Sequence, residues 1–188
     1  MKKFEGLAYH FAFMLALFFL AAVIGFYQAQ ADPFIAGRQV SQLGRFFSFV
    51  RNLSPLEIFL LIFLNNSIKA LISTVSGVFA GIFPACFVFV NGYIVGVVYC
   101  VKGSQLGYFK ALMYLLPHGV IEIPAILLAC SYGSWLGLRF VKKIRGKDVN
   151  LKDDFLFALK ACLRYVIPML LVAAFVETFI TPVIVRLV

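Results

Sequence analysis

His118 and Glu122 stand four positions apart in the run Pro117 His118 Gly119 Val120 Ile121 Glu122 Ile123 Pro124 Ala125, within sequence that is otherwise apolar from Ala111 to Leu138. On a helix this spacing turns both groups to the same side. Ionisable side chains at membrane depth are costly and face a bundle interior, a partner or a water-filled cavity, so the pair marks a candidate site. A second acid, Glu177, interrupts another apolar stretch. An imidazole with two carboxylates can coordinate a divalent metal ion, relay a proton, or lock helices together. The HxxxE spacing lacks the second histidine of the HExxH zinc pattern, and all three readings stay open. Asn65, Asn66 and Asn91 are the next polar groups, each able to hydrogen-bond between helices. No GxSxG elbow, Walker loop or GxGxxG fingerprint occurs, so no residue is assigned a catalytic or cofactor-binding role.

The elements that position these groups belong to a membrane. Hydrophobic residues make up 63% of the chain and charged residues 13%, and mean hydropathy is +0.98; soluble domains carry roughly 25% charge. Neither Gly6 to Ala31 nor Ala70 to Val101 contains an Asp, Glu, Lys or Arg, and each exceeds the ~20 residues needed to cross a hydrocarbon core. The expected fold is all-α: a polytopic transmembrane helical bundle in one domain, 1–188. Its spanning segments are placed at 7–28, 55–73, 74–101, 107–138 and 154–187. Pro84 and several glycines predict a kinked or interrupted third segment, and Pro117, Gly119 and Pro124 a broken or re-entrant fourth. The first apolar stretch is longer than a signal-peptide core and reads as a retained anchor, although Ala29 Gln30 Ala31 imitates a cleavage site.

Residues 33–52 differ. Val40, Leu43, Phe47 and Val50 repeat at spacings of three and four, with Arg38, Ser41, Gln42, Arg45, Ser48 and Asn52 opposite them. That pattern predicts an amphipathic helix on the membrane surface, capped by Asp32 and opened by Pro33; Ser54 and Pro55 start the next element.

The net charge of +9 does not point to nucleic acid, because the basic residues cluster at membrane boundaries rather than among aromatics on a soluble face. Arg139, Lys142, Lys143, Arg145, Lys147 and Lys152 share one connection. The positive-inside rule puts that 139–153 connection, and the N-terminus with Lys2 and Lys3, on the cytoplasmic side of the plasma membrane. Lys69 is expected to snorkel to the same side. Cys86, Cys100, Cys130 and Cys162 form no CxxC pair and read as small apolar helix residues. Gly77 with Gly81, Gly92 with Gly96, and Gly133 with Gly137 have small-xxx-small spacing, for packing inside the chain or in a homodimer.

With Asn65 Asn66, Asn91 Gly92, the run from Pro117 to Ala125, Gly133, Gly137 and Glu177 Thr178 Phe179 Ile180 Thr181 Pro182, the chain resembles the stage II sporulation protein M family from Asn65 to Pro182. In endospore-forming bacteria that family member is a scaffold component of a membrane complex containing a peptidoglycan hydrolase. The resemblance implies an organising role in the membrane, with other membrane or envelope proteins as partners. It does not by itself carry sporulation over. His118, Glu122 and Glu177 enter as functional positions and possible metal ligands. An ion or small-solute transporter is the main rival reading, and a metal-dependent intramembrane enzyme the third.

Overall fold

The computed structural model describes residues 6–46 and 52–183; the side chains of Leu43, Phe46, Pro117 and His118 also lie outside the described set. The expected features at Lys2, Lys3, Phe47, Val50 and 184–187 therefore fall outside it. Seven α-helices make up the described chain: α1 (Leu7–Ala31), α2 (Pro33–Phe46), α3 (Pro55–Val75), α4 (Ile82–Leu106), α5 (Tyr108–Ile144), α6 (Leu151–Ala161) and α7 (Ile167–Phe175). Five helical runs are long and apolar enough to cross a membrane: Leu7–Ala31, Pro55–Val78, Ile82–Leu106, Gly119–Ile144 and Leu151–Val183. The molecule is a polytopic helical membrane bundle.

Helix α5 is its axis, packing against α1, α3, α4, α6 and α7. The expected break in this element is absent: the backbone stays helical from Tyr108 to Ile144 through both prolines. A proline removes one backbone hydrogen bond, and close neighbours in a bundle can sustain the helix around that loss. Helix α5 also extends beyond the expected boundary at Leu138, so Arg139, Lys142 and Lys143 belong to its last turns rather than to a loop.

Interruptions fall elsewhere. A break lies ahead of the third apolar run, at Ser76–Gly81, where a 3₁₀ turn is followed by Ala80 at φ 55° and Gly81 at φ 74°; it interrupts the segment expected at 74–101. Pro84 sits just past that turn, in the first turn of α4, where a proline is tolerated, and does not kink it. The fifth run contains two π-helical turns, Cys162–Val166 and Val176–Ile180. Each ends two residues before a proline, Pro168 or Pro182. A proline has no N–H for the carbonyl four residues back and crowds it, and a widened turn accommodates both effects. Glu177 lies within the second of these turns.

The register of the helices follows from a few contacts. Thr74 Oγ1 donates to the carbonyl of Ala129 at 3.2 Å, and a Cβ added to Gly77 would overlap the backbone of Gly133. Helices α3 and α5 therefore run parallel. Arg139 Nε lies 2.6 Å from Asp154 Oδ2, and the Trp135 and Phe157 rings are 5.5 Å apart, which sets α6 and α7 antiparallel to α5. Helix α1 runs parallel to α4, with Gly92 against Phe18 and Gly96 against Ala22.

All six glycines of the three paired motifs pack inside the chain. Gly77 and Gly81 meet Gly133, Ser134 and Gly137, while Gly92 and Gly96 meet α1. At such contacts a missing Cβ lets two backbones approach, the usual source of association where lipid tails supply no hydrophobic drive. The four cysteines are free thiols, with Cys86 exposed and the others buried. Helix α2 starts where expected, Asp32 Oδ1 accepting from the Ile35 N–H at 2.9 Å. Its apolar side is not left to lipid alone, since Ala36 and Val40 pack with Ala29, Val97, Cys100 and Val101. Ser54 and Glu57 form a reciprocal capping box at the start of α3.

Candidate functional site

The polar groups picked out in the sequence lie near one level of the bundle. Carrying the α3–α5 register back from Thr74 and Ala129 sets Asn65 and Asn66 level with Val120 and Ile121, on the turn that carries Glu122. Asn66 is buried and Asn65 exposed, and the Asn65 Nδ2 donates to Asn66 Oδ1 at 3.3 Å. Asn91 and Glu122 line the same small cavity of about 100 Å³ between α1, α4 and α5, together with Phe18, Gly119 and Ile126. The Asn91 Nδ2 donates to the Phe87 carbonyl at 2.7 Å. Glu122 is half-buried and has its own interactions within the chain.

Glu177 is half-buried on a different element and does not line that cavity. Its π-turn packs on both α3 and α5, and the Phe59 and Phe179 rings lie 6.3 Å apart. Through the α3–α5 register, that contact brings Glu177 close to the level of the Pro117–His118 turn. Among the described residues no three His, Cys, Asp or Glu side chains converge on a position for a metal ion. The His118 side chain, one of the three expected ligands, lies outside them.

The small cavity adjoins a far larger feature. An apolar groove of about 730 Å³ runs between α1 and the N-terminal half of α5, over α4. It extends from Phe11 to Tyr27 along α1, about 24 Å at 1.5 Å per residue. Phe18, Gly119 and Ile123 line both the groove and the cavity, so Asn91 and Glu122 sit just behind its floor. Gly119 also differs from the glycines of the paired motifs: a Cβ there would meet only its own helix neighbour Ile123, at 3.4 Å.

The match to known proteins covers the cavity and most of the groove. The family model for stage II sporulation protein M matches residues 14–182. The chain belongs to the stage II sporulation protein M family. A curated relative, an uncharacterized protein of Methanocaldococcus jannaschii, is 31% identical over 134 residues, which is 69% of this chain and 58% of the relative. The chain thus spans less than two thirds of that relative's length. No solved structure matches. The matched range includes the groove-lining Gly119 and Pro124, the cavity-lining Asn91 and Glu122, and Glu177.

Some polar contacts were not anticipated from the sequence. His10 Nδ1 lies 2.9 Å from Ser134 Oγ, joining α1 to α5, and Tyr93 Oη donates to Gln28 Oε1 at 2.8 Å, joining α4 to α1. His10 is one of two histidines in the chain and interrupts an apolar run, the same signal that singled out His118. Asp154 is buried against Arg139, whose guanidinium lies 5.8 Å from the Trp135 ring centre.

Proposed function

We propose that this protein is a membrane-embedded scaffold, or assembly factor, that organises partner membrane or envelope proteins. The observation that supports this reading most is the lateral groove between α1 and α5, because the family motif contributes Gly119 and Pro124 to its wall and Glu122 to the cavity behind it. A long apolar channel open to the side suits a transmembrane helix. Its nearby polar groups would select a helix carrying a hydrogen-bonding residue near mid-span. Continuous α5 also lacks the helix break at the polar site that would have favoured a transporter. Purification from native membranes in a mild detergent is expected to recover a stoichiometric partner. Repeated recovery of this protein with no companion would contradict the proposal.

The Asn91–Glu122 cavity favours a second reading, an internal ion site. In that case reconstituted vesicles would show a flux abolished by Glu122→Gln. A metal held by His118, Glu122 and Glu177 would appear in elemental analysis at near-stoichiometric level and disappear in His118→Ala. No flux across a broad ion panel, and only trace metal, would remove this alternative.

A further inference from the structure

Helix α3 carries a surface with the chemistry the groove lacks. Leu60, Leu64, Ile68 and Ile72 form an exposed apolar ridge along it, from 44% to 54% accessible. Asn65 and Lys69 are exposed on the same outward side, one helical turn apart. Asn65 lies near the middle of the Pro55–Val78 span. A carboxamide facing lipid at that depth is costly and normally meets protein, and the long Lys69 side chain can either snorkel to the interface or meet a carboxylate across such a contact.

The groove provides the complement. It is apolar along its length, with a carboxylate and a carboxamide behind its floor at Glu122 and Asn91. Copies of one membrane protein share orientation and depth, so a ridge and a groove on different copies can meet only if their polar groups lie at matching levels. They do: the Thr74–Ala129 register puts Asn65 level with the turn containing Glu122, and Lys69 one turn further along. A lysine side chain can cover that turn. The carboxylate has enough acceptor positions for a further donor beside its contacts within the chain.

We infer that α3 of one copy seats in the α1–α5 groove of the next, with Asn65 and Lys69 directed at Asn91 and Glu122. The contact is head-to-tail, because ridge and groove are different surfaces, and it builds a ring or an open row rather than a two-fold dimer. This deepens the scaffold reading by naming a second copy as the groove's occupant. Partner proteins would then attach to an array of copies.

The test uses full-length protein in native membranes, with Cys86→Ala as background because Cys86 is exposed. Two differently tagged copies carry Ile68→Cys on the ridge and Val120→Cys on the groove rim. Oxidation is expected to join the two tags several-fold more often than a control pairing of Ile68→Cys with Val172→Cys, a residue on α7 of similar exposure. A single chain with both Ile68→Cys and Val120→Cys should give a ladder of products. Adding Lys69→Glu, a surface change that sets two carboxylates together, should reduce the cross-link several-fold, whereas Lys69→Arg should retain it. An Ile68-to-Ile68 product in excess, equal yields for the test and control pairs, or no ladder would overturn the inference. If cross-linking fails while a second protein still co-purifies, the scaffold reading stands and self-association falls; a ladder without any companion gives the opposite result.

Discussion

The two halves of α5 face opposite circumstances. From Ala125 to Gly137 almost every side is covered, with Leu127, Ala129, Cys130, Tyr132 and Leu136 all at 2% exposure or less. From Tyr108 to Val120 the same helix leaves Phe109 at 70% and Val120 at 62% exposed. In the covered half, Gly133 and Gly137 press on the backbone near Ser73, Gly77 and Gly81; in the open half, Gly119 looks into the groove. The run from Pro117 to Ala125 spans the junction. One half of α5 thus supplies the bundle core while the other leaves large apolar side chains open, and the scaffold reading rests on the surface where the two meet.

If that contrast is correct, substitutions in the covered half should act on folding and those in the open half on association. The largest loss is expected for Asp154→Ala, which strands Arg139 beside a buried gap. Removing the buried carboxylate should cost up to about 3 kcal/mol, because Arg139 keeps access to water, and thermal unfolding in detergent should shift downward. Gly133→Ala comes next, because its methyl would overlap the Ser73 carbonyl. Overpacking costs about 1–3 kcal/mol, so a lower melting temperature is expected, and an unchanged one would break the contrast.

Ser134→Ala should cost less, on the order of 1 kcal/mol for one interhelical hydrogen bond. A double-mutant cycle with His10→Leu would show whether that energy belongs to the pair. Gly119→Ala should have the smallest effect on stability, neutral or a gain of up to ~1 kcal/mol from helix propensity, because the added methyl meets only Ile123. Its effect should appear instead as weaker association in membranes. A Gly119→Ala protein that unfolds as readily as Gly133→Ala would erase the distinction.

The distribution of function along the chain was only partly legible in its residues. Apolar length revealed the spans, because a hydrocarbon core requires it and α1 and α4 have few alternatives. Asp32, Ser54 and Pro55 announced their helix starts through local chemistry that needs no tertiary context. The prolines of α5 misled for the opposite reason. Proline propensity is local, whereas the neighbours that sustain a helix past Pro117 and Pro124 come from distant sequence. Pro168 and Pro182 produced wider turns rather than breaks, a response that propensity alone does not distinguish. Among the polar residues, the shared level of Asn65, Asn66, Asn91 and Glu122 depends on interhelical register, and only the glycine and Thr74 contacts reveal it. The groove was invisible in the sequence, since exposed and buried apolar residues read alike in a chain built for lipid.

The most direct measurement is labelling of the protein in native membranes with a lipid-soluble carbene reagent, read residue by residue by mass spectrometry. Phe19 and Val120 in the groove have accessibility similar to or above that of Val172 and Phe175 on α7 in a single copy. If another protein surface covers the groove, Phe19 and Val120 should be labelled several-fold less than Val172 and Phe175. Equal labelling of the two pairs would mean that lipid fills the groove, and would contradict the account.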